Sequence, residues 1–141
     1  MIDGETLRRG LSRDLGYTAE DRSENLRRSA HLADTLNDAG LICVASFVAP
    51  SEDVRQKVGK LIGEDRFLVV HVATPIEVCR QRDTKGQYAL ADAGELRNFP
   101  GVTAKYEPPN QPDLVLDATD QSIDQCADAV IELLRENGFI K

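Results

Sequence analysis

The chain has 141 residues, of which 41% are hydrophobic and 29% are charged, a balance that suits one globular domain and excludes intrinsic disorder. Its formal net charge of −7 argues against a general nucleic-acid-binding surface, which needs the opposite sign. The apolar runs are too short to span a membrane, and the N-terminus shows no signal-like apolar stretch. We therefore expect a cytoplasmic protein with a single domain over residues 1–141.

Predicted helices and strands alternate from the first third of the chain onward. Thr18 followed by Asp21 is typical of a helix start, apolar residues then recur at helical spacing, and Ala39-Gly40 predicts the end of the helix. The run 41–48 (LICVASFV) is almost entirely apolar. It predicts a strand that is buried on both faces, as in a parallel sheet.

The same alternation continues through the second half of the chain. Residues 51–62 predict a polar helix, residues 67–73 predict another buried strand, and Pro75 is typical of a helix start. A short strand at 114–116 and a helix capped by Ser122 complete the pattern. Helices that alternate with buried strands indicate a layered α/β fold.

The segment 83–112 breaks this alternation. It is rich in glycine and proline, which predicts irregular structure. An irregular stretch of this length in a compact domain is more often a functional lid than an idle connection. We therefore expect a lid or substrate loop here.

Cysteines and histidines give no sign of a metal site. Cys43, Cys79 and Cys126 each occur singly inside apolar patterns, and His31 and His71 are isolated. No two of them have the spacing of metal ligands. We expect buried free thiols and no bound structural metal.

Several short motifs place chemistry-bearing residues in a fixed order along the chain. These motifs are Asp3-Gly4-Glu5-x-x-Arg8, Leu15-Gly16-Tyr17, Glu20-Asp21-Arg22-x-x-Asn25, Arg82-Asp83-x-Lys85-Gly86 and Phe99-x-Gly101. Together they resemble the signature of the adenylylsulfate kinase family, whose members phosphorylate adenosine 5′-phosphosulfate with ATP. The resemblance extends from the first residues to the last predicted strand.

The resemblance implies a three-layer P-loop-kinase-like fold, in which a parallel sheet of order 2-3-1-4-5 carries helices on both faces. It also implies that the central first strand, the first helix and the phosphate-binding Walker A loop precede the Asp3 turn. No G-x-x-x-x-G-K-[ST] occurs within residues 1–141, so we expect these residues to lack that part of the fold. The strands at 41–48 and 67–73 would then pair with each other, pair with a second chain, or leave the fragment marginally stable.

The catalytic residues that the resemblance implies are Asp3 and Glu5. Their carboxylates would orient the Mg²⁺ that accompanies ATP or accept the proton of the attacking 3′-hydroxyl. Glu5 stands where the family usually has a second aspartate. Its extra methylene displaces the carboxylate, which impairs a positioned base.

The resemblance also implies a set of substrate-binding residues. They are Arg8, Tyr17, Arg22, Asn25, Val48, Ala49, Lys85 and Phe99. The arginines and Asn25 would hold the phosphosulfate and ribose, two aromatic rings would sandwich the adenine, and Lys85 would reach the nucleotide from the lid. Arg22 and Asn25 are three residues apart, so they share a helix face near the helix N-terminus, where the dipole favours an anion.

The lid departs from the family pattern. Ala89, Leu90 and Asp92 stand where the family usually has two lysines and an arginine; Ala49 replaces a frequent serine, and Pro100 a threonine. Because lid cations stabilise developing phosphate charge, their loss weakens that stabilisation. The sequence therefore leaves three functions open: a homodimeric adenylylsulfate kinase homologue that is inactive alone, a non-catalytic remnant that binds a sulfonucleotide or a partner protein, and an interaction fragment of a longer sulfate-activating enzyme.

Overall fold

The computed structural model describes residues 1–141 and divides into two compact units, Met1–Phe67 and Leu68–Lys141. Each unit combines helices with one pair of short parallel strands. The α/β class predicted from the sequence is therefore confirmed. No helix is both long enough and apolar enough to cross a membrane.

The first unit is built around one long helix. Its elements in chain order are β1 (Ile2–Asp3), α1 (Gly4–Arg8), α2 (Ala19–Asp38), β2 (Ala45–Ser46), α3 (Glu52–Ile62) and a short 3₁₀ turn (Glu64–Arg66). β1 pairs with β2 in parallel, with Ile2 opposite Ala45. The core of the unit is formed by apolar residues of β1, α1, α2 and α3, namely Ile2, Leu7, Ala30, Ala33 and Ile62.

The predicted boundaries of α2 are confirmed. The hydroxyl of Thr18 accepts a hydrogen bond from the backbone N–H of Asp21 at 3.1 Å, which satisfies a donor that the first helical turn leaves open. At the other end, Gly40 adopts a left-handed φ of 81°, the conformation that ends many helices. Local capping signals therefore fix both ends of this helix.

The predicted strand over 41–48 is wrong in length and in burial. Only Ala45 and Ser46 pair with a neighbouring strand. Between 48% and 57% of the surface is exposed for Leu41, Ile42, Val44 and Val48. β2 has a partner along one edge only and for two residues only, and although Cys43 and Phe47 pack against the core of the first unit, the rest of the apolar run is not covered as predicted.

The second unit has three helices and the other strand pair. Its elements are β3 (Val70–Val72), α4 (Ile76–Gln81), α5 (Gln87–Asp92), β4 (Leu114–Leu116) and α6 (Ile123–Glu136). β3 pairs with β4 in parallel, with His71 opposite Val115. The strand predicted at 67–73 is thus shorter than expected, and Val72 is 62% exposed rather than buried. The sheet of this unit consists of β3 and β4.

The segment 83–112 is irregular apart from α5. The carboxylate of Asp83 accepts hydrogen bonds from the backbone N–H groups of Gln87 and Tyr88 at 3.0 and 2.9 Å. Gly86 adopts a left-handed φ of 68° in the turn between them, a conformation that glycine adopts without steric cost. Asp83 and Gly86 of the Arg82-Asp83-x-Lys85-Gly86 motif therefore start α5.

Candidate functional site

Two arginine side chains meet one aromatic ring in the first unit. Arg8 ends α1, Tyr17 lies in the loop before α2, and Arg22 lies in the first turn of α2. The guanidinium carbon of Arg8 is 4.4 Å from the centroid of the Tyr17 ring, and that of Arg22 is 5.3 Å away. Both distances are within the range of cation–π contact. We call these three residues the arginine–tyrosine cluster.

Backbone carbonyl groups fix the orientation of both guanidinium groups. Arg8 donates from Nε to the carbonyl oxygen of Gly16 at 2.9 Å and from Nη1 to that of Gly4 at 3.0 Å. Arg22 donates from Nε to the carbonyl oxygen of Tyr17 at 3.2 Å. Main-chain carbonyl groups of α1 and of the loop between α1 and α2 therefore aim both side chains.

The cluster is electrostatically suited to an anion. Burial, and then the positive charge of Arg8, lower the pKa of the Arg22 guanidinium from its usual value. An anion bound at the cluster would offset both effects, because it would stabilise the charged form of each arginine. Arg8, Tyr17 and Arg22 lie together in the structure, and their arrangement fits a phosphate or sulfate next to an aromatic ring.

Asn25 lies one turn beyond Arg22 but is buried. Only 1% of its surface is exposed, and its side-chain Oδ1 accepts no hydrogen bond. A buried acceptor without a partner costs about 1–3 kcal/mol, so it needs a structural or functional reason. The predicted contact between Asn25 and a substrate would require the side chains around it to move. That contact stays a prediction.

Asp3 is the N-cap of α1. Its Oδ1 accepts from the backbone N–H groups of Glu5 and Thr6 at 3.0 and 2.8 Å, and its Oδ2 accepts from the Thr6 hydroxyl at 2.7 Å. The hydrogen bonds from Thr6 lower the pKa of the Asp3 carboxyl. Asp3 is consequently ionised and oriented by its own helix, which makes it a weak proton acceptor.

The other residues of the Asp3 turn are also committed to local contacts. The carboxylate of Glu5 forms an exposed ion pair with Arg9 at 2.7 Å. Gly4 is closely approached: a β-carbon there would lie 3.1 Å from Nη1 of Arg8 and 3.3 Å from the Phe47 ring. Glycine at this position therefore lets Arg8 approach the turn.

Val48 and Ala49 follow β2 after one intervening residue, Phe47. Val48 is 53% exposed, and Ala49 adopts a left-handed φ of 42°, which is unusual for a residue with a β-carbon. The carbonyl oxygen of Ala49 accepts a hydrogen bond from the buried side chain of Arg55. Arg55 could not be predicted from the sequence as part of the site, because an arginine in a polar helix is normally exposed.

A cavity of about 300 Å³ lies beside the arginine–tyrosine cluster. One wall comes from the N-terminal half of α2 and includes Arg22 and Leu26. The opposite wall comes from the start of α3 and the residues before it, including Pro50, Ser51 and Val54. The cavity therefore lies between Arg22 of the cluster and the segment that begins at Pro50.

Lys85 and Phe99 lie in the second unit, whereas the other eight predicted site residues lie in the first. Lys85 is exposed in the turn before α5. Phe99 is half-buried, and its ring packs edge-on against Tyr88 with 5.0 Å between centroids. Tyr88 is not among the predicted site residues, although its aromatic ring within the predicted lid was a usable signal.

Asp92, the acidic residue of the predicted lid, forms an ion pair with Arg80 of the same unit. Asp92 accepts from Nε and Nη2 of Arg80 at 3.1 and 2.9 Å. This carboxylate raises the pKa of the Arg80 guanidinium. Arg80 and Asp92 therefore link α4 to α5.

Comparisons of this chain with known proteins agree on one family. The adenylylsulphate kinase family profile matches residues 1–117. The bifunctional enzyme CysN/CysC of Rhodopirellula baltica is 77% identical over all 141 residues, which span 22% of that protein. The adenylyl-sulfate kinase of Halothermothrix orenii is 45% identical over 99% of this chain, which spans 74% of that protein.

A solved structure has the same fold. The Mycobacterium tuberculosis APS kinase CysC in complex with AMPPNP and APS superimposes with a TM-score of 0.90 and 42% identity, over 95% of this chain and 78% of that one. The likeness covers nearly the whole chain, and the family match includes every predicted site residue. The chain belongs to the adenylylsulfate kinase family.

Proposed function

We propose that residues 1–141 form the sulfonucleotide-binding part of an adenylylsulfate kinase. The reaction transfers the γ-phosphoryl group of Mg-ATP to the 3′-hydroxyl of adenosine 5′-phosphosulfate. The observation that carries the proposal is the arginine–tyrosine cluster, which offers two oriented cations for the phosphosulfate and one aromatic ring for the adenine.

In this proposal Asp3 acts on the metal ion of Mg-ATP rather than as a base. Its lowered pKa favours an ionised carboxylate, and Oδ2 accepts just one hydrogen bond within the chain. Oxygen ligands of this kind suit Mg²⁺, which stabilises the charge of the transferred phosphoryl group. Glu5 has a smaller role in catalysis than Asp3 in this proposal, because Arg9 holds the Glu5 carboxylate on the surface of α1.

The proposal separates sulfonucleotide binding from ATP turnover. A phosphate-binding loop cradles the β- and γ-phosphates through backbone N–H groups and a lysine. Residues 1–141 contain no G-x-x-x-x-G-K-[ST], so we expect them to bind the sulfonucleotide without turning over ATP by themselves. Asn25, Val48, Ala49, Lys85 and Phe99 remain proposed substrate contacts.

A second candidate function is non-catalytic binding of a sulfonucleotide or a partner protein. The observation that favours it is the Arg80–Asp92 pair. At this lid position the family resemblance implies a cation that stabilises phosphate charge, whereas here a carboxylate neutralises Arg80 instead. The two candidates share the sulfonucleotide site and differ in whether phosphoryl transfer follows. For either function we propose a homodimer in the cytosol.

A thermal-shift experiment tests the shared part of both candidates. A ligand that binds only the folded state raises the melting temperature. We expect adenosine 5′-phosphosulfate to raise it, ATP to leave it unchanged, and Arg22→Ala to abolish the response. Arg27→Ala is the matched control, because Arg27 is on the same helix and pairs with Glu24 at the surface. Equal shifts from both ligands, or an unchanged response in Arg22→Ala, would contradict the proposal.

A further inference from the structure

The backbone at Ala49 is held in a conformation that its side chain disfavours. Its φ of 42° lies in the left-handed region, where a β-carbon crowds the following carbonyl group. Residues in such conformations persist when surrounding contacts hold them, and they occur often at ligand sites. The contact that holds Ala49 is therefore of functional interest.

That contact comes from Arg55, which is 9% exposed. Its Nη1 donates to the carbonyl oxygen of Ala49. Its Nε and Nη2 donate to the Oε2 atom of Glu52 at 3.2 and 2.6 Å. The planar guanidinium group of Arg55 thus links the carboxylate of Glu52, in the first turn of α3, to the carbonyl group of Ala49, which precedes the helix.

The same segment forms part of the cavity next to the arginine–tyrosine cluster. Pro50 and Ser51 line the cavity, and both follow Ala49 directly. A change in φ at Ala49 would rotate the chain on either side of it and move this wall relative to Arg22. The wall's position therefore depends on the bond between Arg55 and Ala49.

We propose that Arg55 is a positioning residue that holds Ala49 in the left-handed conformation and so shapes the sulfonucleotide cavity. The inference rests on the proposed function for the identity of the ligand. An arginine is required because a lysine ammonium cannot bind the carboxylate and the carbonyl group through one rigid planar fork. If Arg55 only stabilised the helix through its ion pair with Glu52, the effect of substituting Arg55 would not depend on the residue at position 49.

The test is a double-mutant cycle with adenosine 5′-phosphosulfate as the calorimetric probe. Arg55→Lys keeps the positive charge beside Glu52, and we expect it to weaken binding by about tenfold, the scale of one strained backbone residue. In the Ala49→Gly background, where the left-handed conformation has no steric cost, we expect Arg55→Lys to weaken binding by less than about threefold. Lys57→Met is the control, because the Lys57–Asp53 pair is exposed on the same helix.

A second measurement does not need the ligand. The three-bond coupling between the amide and α protons of Ala49 reports its φ, and we expect Arg55→Lys to change it while the melt stays cooperative. An unchanged coupling, or an equal loss of affinity in both backgrounds, would overturn the inference. A wild-type chain that binds no adenosine 5′-phosphosulfate would overturn the proposed function and the ligand assignment, and the coupling would still decide whether Arg55 holds Ala49.

Discussion

Arg28 and Asp14 form a two-pronged ion pair, with Nη1 2.6 Å from Oδ1 and Nη2 2.8 Å from Oδ2. Arg28 lies on α2, and Asp14 lies in the loop that connects α1 to α2 and also carries Tyr17. Arg28 donates a further hydrogen bond to the carbonyl oxygen of Leu11 at 2.9 Å. The pair therefore fastens the loop of the arginine–tyrosine cluster to the body of α2.

This pair predicts how stability depends on pH. The hydrogen bond from Arg28 lowers the pKa of Asp14 from 3.8 to about 2. A carboxyl group with a depressed folded-state pKa contributes its full stability above its unfolded pKa and loses it as the pH falls through the folded one. In wild type, the free energy of unfolding should therefore fall between about pH 4 and pH 2 as Asp14 is protonated. We expect Asp14→Asn to remove this part of the fall.

Urea unfolding of wild type and Asp14→Asn at several pH values measures this difference. The control is Asp53→Asn, which removes an exposed ion pair with Lys57. Exposed pairs of this kind contribute little to stability. Parallel pH profiles for wild type and Asp14→Asn would show that the Arg28 contact does not set the titration of Asp14.

Substitutions at Asp3 can separate its capping role from its charge. Serine keeps an N-cap oxygen for the backbone N–H groups of Glu5 and Thr6, whereas alanine removes it. We therefore expect Asp3→Ser to melt near wild type and Asp3→Ala to melt at a lower temperature. Differential scanning calorimetry of both variants is the measurement. An Asp3→Ala variant that melts like wild type would mean that the cap contributes nothing to the first unit.

The absence of a phosphate-binding loop within residues 1–141 predicts weak turnover. We expect the 141-residue chain, given Mg-ATP and adenosine 5′-phosphosulfate, to stay below the normal kinase range, which begins at about 1 per second. A coupled assay of ADP release is the measurement. Turnover at or above that rate would show that these residues position the γ-phosphate by some other means.

Exposed apolar side chains on the second strand pair predict self-association. Val72 and Val115 are 62% and 54% exposed on β3 and β4. Strands with exposed apolar residues pair or pack with other chains unless charged residues protect them. We expect sedimentation to show a homodimer at tens of micromolar, the commonest assembly of soluble chains. Val72→Lys should shift the equilibrium between monomer and dimer toward the monomer.

Ile123→Lys is the control for this experiment. Ile123 is 88% exposed at the start of α6, outside the strands, so its substitution changes charge and exposed apolar area without touching a strand. A wild-type chain that sediments as a clean monomer would contradict the dimer. Equal effects of the two substitutions would place the contact elsewhere.

Helix boundaries could be predicted from the sequence because local chemistry fixes them. Thr18 and Gly40 bracket α2, and Ser122 with Gln125 forms a reciprocal capping box at the start of α6. α5 was not predicted, since it has six residues and its cap comes from Asp83, outside the usual N-cap position. Such a short helix has no apolar periodicity to detect.

Burial and side-chain contacts could not be predicted in the same way. The apolar run at 41–48 indicates that a covered strand is possible, but covering requires neighbours that a local pattern does not specify. The resemblance implied substrate contacts for Arg8, Tyr17 and Arg22, which the structure places around one aromatic ring. It gave no hint that Arg55 would bind the carbonyl group of Ala49, because that contact depends on a backbone dihedral angle.

The 20-residue helix α2 divides its tasks by position along its length. Arg22 and Asn25 occupy its first half, whereas Ala30 and Ala33 pack into the core of the first unit. Arg66 binds Asp34 and Asp38 near its other end. The proposed ligand contacts and the ion pairs with Arg66 thus lie at opposite ends of α2, so we expect substitutions near Arg66 to change heat tolerance with little effect on the proposed ligand contacts.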